Sequence, residues 1–252
     1  MTRLQDGGPR PLKRLIPGGE ADRTPMAVGK LVTLEGIDAS GKGTQAALLA
    51  EWARGAGLRV TQFAFPRYSG SFYGELVGRY LRGEFGEVGA QSPYLSALPY
   101  AGDRLEAAPA LRDALHVKDL VVVDRYVGSN AAHQGAKLPF GALPQFADWI
   151  HRLEFEVHGI PQEDLVILLD LPVETAVGLR RGRSAAAASD PDAADIHERD
   201  TEYLSAVRVC YQWLAGNLGN WRVVHCAPGG ALRPSEEIAA DVRALVASLL
   251  GR

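Results

Sequence analysis

Five short apolar runs punctuate the chain: Leu31–Glu35, Arg59–Phe65, Leu120–Asp124, Leu165–Asp170 and Trp221–His225. Each is too short for an ordinary helix and rich in Val, Leu or Ile, as expected of a strand covered on both faces of a parallel sheet. Between them, apolar residues recur at helical spacing over Thr44–Ala56, Phe72–Leu81, Pro93–Leu115, Leu143–Val157, Val173–Arg181, Asp195–Leu214 and Ser235–Leu250. Strand, helix, strand in repetition predicts an α/β domain of three layers, α/β/α, around a five-stranded parallel sheet with right-handed crossovers. Ligands of such sheets sit beyond the carboxyl ends of the strands.

Two stretches interrupt the pattern. Arg82–Ser92 is glycine-rich and separates two helices; Ser184–Ala194, a run of Ala, Ser, Asp and Pro behind an arginine cluster, is expected to be a mobile flap. Residues 1–29 are rich in Gly, Pro and Arg without any period, so they are expected to form a disordered extension to a domain spanning 30–252. Met26, just before the first strand, offers an alternative start.

Composition narrows the function classes. At 252 residues and 46% hydrophobic, the chain can bury one sizeable core. A formal net charge of −3 gives no global reason to bind a nucleic-acid polymer or an anionic membrane, so any anion site has to be local. Cys210 and Cys226 have neither metal nor redox spacing, and so sparse a pair fits reduced thiols. With no apolar run of the roughly 18 residues a membrane span requires, a soluble, cytoplasmic protein is expected.

The chemistry starts at Gly36-Ile37-Asp38-Ala39-Ser40-Gly41-Lys42-Gly43-Thr44-Gln45, which follows a predicted strand and opens a predicted helix. Glycines at both ends let the backbone wrap so that successive N–H groups and the helix N-terminus face phosphates, with Lys42 reaching the β and γ groups of a nucleotide. The residue after the lysine, usually a hydroxyl that binds Mg²⁺, is Gly43; the hydroxyl comes at Thr44. Metal would then be held by phosphates and water, with Thr44 and Asp124 as candidate ligands.

A second strand ends in Asp124-Arg125-Tyr126. Asp124 suits orientation of Mg²⁺-bound water. Arg125 has no task in a simple ATPase site but suits a second anion, an acceptor phosphate. Arg180, Arg181 and Arg183 end a helix and lead into the flap, where a closing lid of about 180–197 would bring positive charge to a migrating phosphoryl group and exclude water. His197 and Glu198 lack the spacing of a metal site and are read as first-turn charges of a helix.

Taken together, the loop Gly36–Gln45, Phe65-Pro66-Arg67-Tyr68, Tyr100 through Arg104, Asp124-Arg125-Tyr126, and Arg180–Arg183 followed by Asp195 to Glu198 resemble a thymidylate kinase over roughly residues 30 to 250. The resemblance implies a P-loop kinase fold, ATP and Mg²⁺, and phosphorylation of thymidine monophosphate (dTMP) to dTDP in deoxynucleotide synthesis. It implies that Asp38 approaches the sugar 3′-hydroxyl, that Arg67 and Arg125 clamp the acceptor phosphate, and that Tyr100 stacks on thymine. Arg104 would bond the base edge, with Ser129 and Asn130 near the base. Some members carry an arginine in the P-loop where this chain has Ala39, which shifts the catalytic burden to the lid arginines. Family members are commonly homodimers. The alternatives are a kinase for another nucleoside monophosphate or a polyphosphate-dependent kinase. A nucleotide switch would require an Asn-Lys-x-Asp reader or a hydrolytic Asp-Glu pair, and the chain has neither.

Overall fold

The computed structural model describes residues 29–86, 91–186 and 201–252. Its five strands, β1 (Lys30–Glu35), β2 (Val60–Ala64), β3 (Leu120–Asp124), β4 (Leu165–Asp170) and β5 (Trp221–His225), form one parallel sheet in the order β2-β3-β1-β4-β5. β1, β3 and β4 occupy the middle and are buried almost throughout, because helices cover both faces. β2 and β5 read as buried strands in the sequence but lie at the two edges and are half-exposed.

Among the described residues, eight α-helices surround the sheet: α1 (Lys42–Gly55), α2 (Phe72–Leu81), α3 (Pro93–Val117), α4 (Val127–Gly135), α5 (Leu143–His151), α6 (Val173–Ala186), α7 (Thr201–Asn217) and α8 (Ser235–Leu249). α1 packs with α8, and α4 packs with α3, α5 and α7. The side chain of Gln45 fastens α1 to α8, donating to the Ser235 carbonyl at 3.0 Å.

Three differences from the expected elements matter for the site. α4 was not expected, because Val-Gly-Ser-Asn-Ala-Ala-His-Gln-Gly is poor in strong helix formers. Burial of Val127, Ala131 and Ala132 in the core overrides that preference. The expected helix 143–157 is α-helical only to His151 and continues as a π turn over Arg152–Val157. α6 runs on to Ala186, so the start of the expected flap is helical; its remaining residues, with Asp195–Glu198, lie outside the described residues. The expected extension also lies outside them except for Gly29, whose N–H bonds the Leu115 carbonyl at 3.0 Å.

Register brings the two motifs together. Leu34 of β1 pairs with Asp124 of β3, so the glycine loop after β1 and the Asp124-Arg125 step after β3 leave the sheet side by side at its carboxyl edge.

Candidate active site

The loop between β1 and α1 follows a path few residues tolerate. Gly36 sits at φ +147°, and a Cβ there would come within 2.7 Å of the Leu169 carbonyl oxygen and of Ser40 Oγ. Ala39 holds φ +65° and Gly41 φ +88°. A non-glycine residue in this region is uncommon and stores strain. The turn leads straight into the N-terminus of α1, which no side chain caps, an arrangement that suits phosphate. Lys42 lies across it, donating to the carbonyls of Ile37 at 2.8 Å and Gly36 at 3.1 Å and to Ser40 Oγ at 3.4 Å.

The glycine after the lysine sits closely against Asp124. A Cβ on Gly43 would stand 3.3 Å from Asp124 Oδ2, so the carboxylate packs on the first turn of α1 where other P-loops carry a hydroxyl side chain. Asp124 Oδ1 is buried with no hydrogen-bond partner. Burial raises its carboxyl above the ordinary value, with Lys42 opposing the rise and Glu35 adding to it. Thr44 is exposed. No group of three His, Cys, Asp or Glu able to hold a metal exists among the described residues. One orphaned carboxylate oxygen beside a phosphate loop nevertheless fits Mg²⁺, which keeps most of its shell as phosphate and water.

Arg125 faces this loop. Its backbone is at φ +62° and its N–H bonds the Leu34 carbonyl at 3.0 Å. Its guanidinium pairs with Asp38 and reaches Gly36 O and Ser129 Oγ at 3.4 Å and His133 Nε2 at 3.3 Å. Glu35, the last residue of β1, holds the step in place. Its carboxylate accepts from the amides of Tyr126 at 2.8 Å and Ser129 at 3.0 Å, from Ser129 Oγ at 2.6 Å and from the Tyr211 hydroxyl at 3.1 Å. A carboxylate from a neighbouring strand thus caps the N-terminus of α4. Ser129, expected near the base, has its hydroxyl engaged by Glu35 and Tyr211.

The remaining expected residues gather around α3. Arg67, after β2, is fixed to Asp103: its amide and Nε donate to the carboxylate at 2.7 and 2.9 Å and Nη2 to the Asp103 carbonyl at 2.8 Å. Tyr100 is half-buried one turn earlier on the same helix. Arg104 and Asn130 are both 2% exposed. Arg104 pairs with Glu154, and Asn130 donates to the same carboxylate at 3.3 Å. Burial works against the Arg104 charge, but Glu154 more than offsets it and holds the guanidinium above its ordinary value. Arg180 is half-buried near the end of α6; the side chains of Arg181 and Arg183 lie outside the described residues.

Glu35, Asp103, His133 and Glu154 were not singled out in the sequence. The signal for Glu154 was there: Leu143, Phe146, Ala147 and Ile150 form the buried stripe of α5, and Glu154 falls four residues further along it, a charge where an apolar side chain belongs.

Residues 34–228 match the family model described as thymidylate kinase. The chain belongs to the thymidylate kinase family. It is 38% identical to the thymidylate kinase of Mycobacterium tuberculosis (strain ATCC 25618 / H37Rv) over 77% of this chain and 90% of that protein. With the thymidylate kinase of Leifsonia xyli subsp. xyli it shares 35% over 85% of this chain and 93% of the relative, and with that of Homo sapiens 30% over 86% and 89%. A solved structure of thymidylate kinase from Candida albicans has the same fold, with a TM-score of 0.66 at 20% identity over 87% of this chain and 92% of that one. Membership makes the chain a transferase of the kinase class, with ATP as phosphoryl donor. Among the described residues no helix is long and apolar enough to cross a membrane.

Proposed function

We propose that this site transfers the γ-phosphoryl group of ATP to the phosphate of dTMP, giving dTDP and ADP. The observation that carries the reading is Arg125: a strained arginine whose guanidinium faces the phosphate loop from the next strand, tied to Asp38 inside that loop. A kinase whose acceptor is itself a phosphate needs a second cationic clamp of this kind.

In this reading Lys42 and the loop amides take the β and γ phosphates. Arg67 and Arg125 hold the acceptor phosphate, and Asp38 lies toward the sugar 3′-hydroxyl. One oxygen of the dTMP phosphate attacks the γ-phosphorus as the bond to ADP breaks. Mg²⁺, held by phosphates, water and Asp124, would neutralise the developing charge. Tyr100 stacks on thymine, while Arg104 and Asn130 read its edge. A lid of about 180–197 closes over the donor and brings in Arg180, Arg181 or Arg183. The domain spans 30–252.

Two-fold association is part of the proposal. Leu95, Leu98 and Leu105 form an exposed stripe on α3, interrupted by Gly102, against which Tyr73 packs, with Phe72 71% exposed beside it. A cytoplasmic setting suits two buried free thiols whose pKa values burial pushes up to about 12.

The test is ADP release with ATP and Mg²⁺, comparing dTMP, other nucleoside monophosphates and no acceptor. Selective turnover with dTMP is expected. Preference for another acceptor would overturn the roles of Tyr100 and Arg104, and turnover without any acceptor would overturn the kinase reading.

A further inference from the structure

The π turn after α5 has one buried residue, Glu154, fully excluded from solvent, and it touches two groups assigned above to the base. Arg104 Nε donates to both of its oxygens at 3.1 Å and Nη2 donates to Oε1. Nη1 makes no hydrogen bond among the described residues. Asn130 Nδ2 donates to Glu154 Oε1 at 3.3 Å and to the Ala97 carbonyl at 3.1 Å. The other end of that amide, Oδ1, is buried with no partner. A carboxylate and a carbonyl only accept, so Glu154 and the Ala97 carbonyl together draw the NH₂ end of Asn130 toward themselves and leave its carbonyl end as the group still to be satisfied. A buried polar atom left without a partner is costly, which marks Oδ1 as an acceptor awaiting a donor.

We propose that Glu154 is a positioning residue that sets the hydrogen-bonding polarity of the base site: it holds Arg104 as donor and, with the Ala97 carbonyl, Asn130 as acceptor. The inference rests on the dTMP reading above. The pyrimidine edge of thymine offers a carbonyl to the arginine and an imino N–H to the amide oxygen. Cytosine reverses both, setting an amino group against the guanidinium and a lone pair against Oδ1. Selectivity between these bases is then decided by a side chain that touches neither. The widened π turn belongs to the same device, because it is the segment that delivers Glu154 beneath both readers.

Glu154→Gln tests this. A glutamine supplies one acceptor where Arg104 uses two: with its oxygen at the Oε1 position shared by Arg104 Nη2 and Asn130 Nδ2, its NH₂ stands against Arg104 Nε and pushes the guanidinium out of its place beneath the base edge. The measurement is kcat/KM for dTMP and for dCMP with the full-length enzyme. The ratio is independent of the folded fraction, since both constants scale with it. In E154Q the dTMP:dCMP ratio is expected to fall by about tenfold or more, as expected when a site built to bond one pattern loses it, mainly through KM for dTMP. In E154D, which keeps the charge but withdraws it, the ratio should fall less. If E154Q yields no folded enzyme, E154D is read alone, and a several-fold fall is expected. An unchanged ratio with parallel loss on both acceptors makes Glu154 a packing residue and overturns the inference. A wild-type enzyme indifferent between dTMP and dCMP overturns the underlying base-reading assignment instead.

Discussion

In the proposed reaction, Arg125 is the residue that joins both substrates. Its left-handed backbone is held by the bond from its N–H to Leu34 and by the α4 cap that follows, so the guanidinium stands opposite the phosphate loop without help from its own conformational preference. Replacing it with alanine should lower kcat/KM for dTMP on the order of 10²-fold or more, the scale of losing one preorganised donor. The KM for ATP should change little; an equal rise in both would assign Arg125 to the donor side. A lysine at the same position is not conservative, since it offers a point charge in place of a planar fork. At this scale the phosphate loop and the Asp124-Arg125 step stood out in the sequence, because each follows an apolar strand with residues that a bare turn does not require, while Tyr100 and Arg104 entered only through the family resemblance. Glu35, Asp103, His133 and Glu154 did not stand out, because each acts through a partner between 30 and 100 positions away or in another element.

Among the elements, α4 depends most on its surroundings. Its sequence is a weak helix former, and its first amides are satisfied by Glu35 from β1. Glu35→Ala leaves the buried amide of Tyr126 and the half-buried amide of Ser129 without that acceptor, and is expected to cost about 1–3 kcal/mol of stability. Equilibrium unfolding in urea reads that cost, and loss of activity at temperatures where the variant is still folded shows that the cap also positions Arg125. α6 carries the arginine cluster in its last turns. With Ala39 in the loop, no arginine is available from the loop itself, so at least one of Arg180→Ala, Arg181→Ala and Arg183→Ala should lose turnover on the order of 10³-fold. Near-normal kcat in all three would remove the lid from the mechanism. The boundaries of α2 were legible to the residue, and those of β3, β4 and β5 as well, because period and composition change sharply there. The start of α1 at Lys42 and the π turn after His151 were not. Both depend on what the backbone packs against.

For the whole molecule, pH dependence has a definable source. Glu163 is buried before β4, where burial raises its pKa to about 8, with Glu35 and Glu154 adding to the rise. Below the ordinary value of 4.5, folded and unfolded chains both carry the proton. Between 4.5 and about 8, only the folded chain keeps it, so unfolding releases a proton and stability falls as pH rises through that window. Glu163→Gln should flatten this slope and raise the Tm at pH 8 relative to wild type, which thermal melts across the window will show; a parallel profile would mean that Glu163 does not bear the proton. The sequence by itself determined the α/β class, the five strands and the phosphate loop, since these rest on local period, local turn geometry and the demand of parallel strands for apolar cover. Only the tertiary structure decided the strand order, with β1 between β3 and β4, the edge positions of β2 and β5, and the meeting of Glu154 with Arg104 and Asn130. Those depend on register and packing between segments far apart in the chain, where the free energy comes from burying mutual surfaces that no single segment encodes.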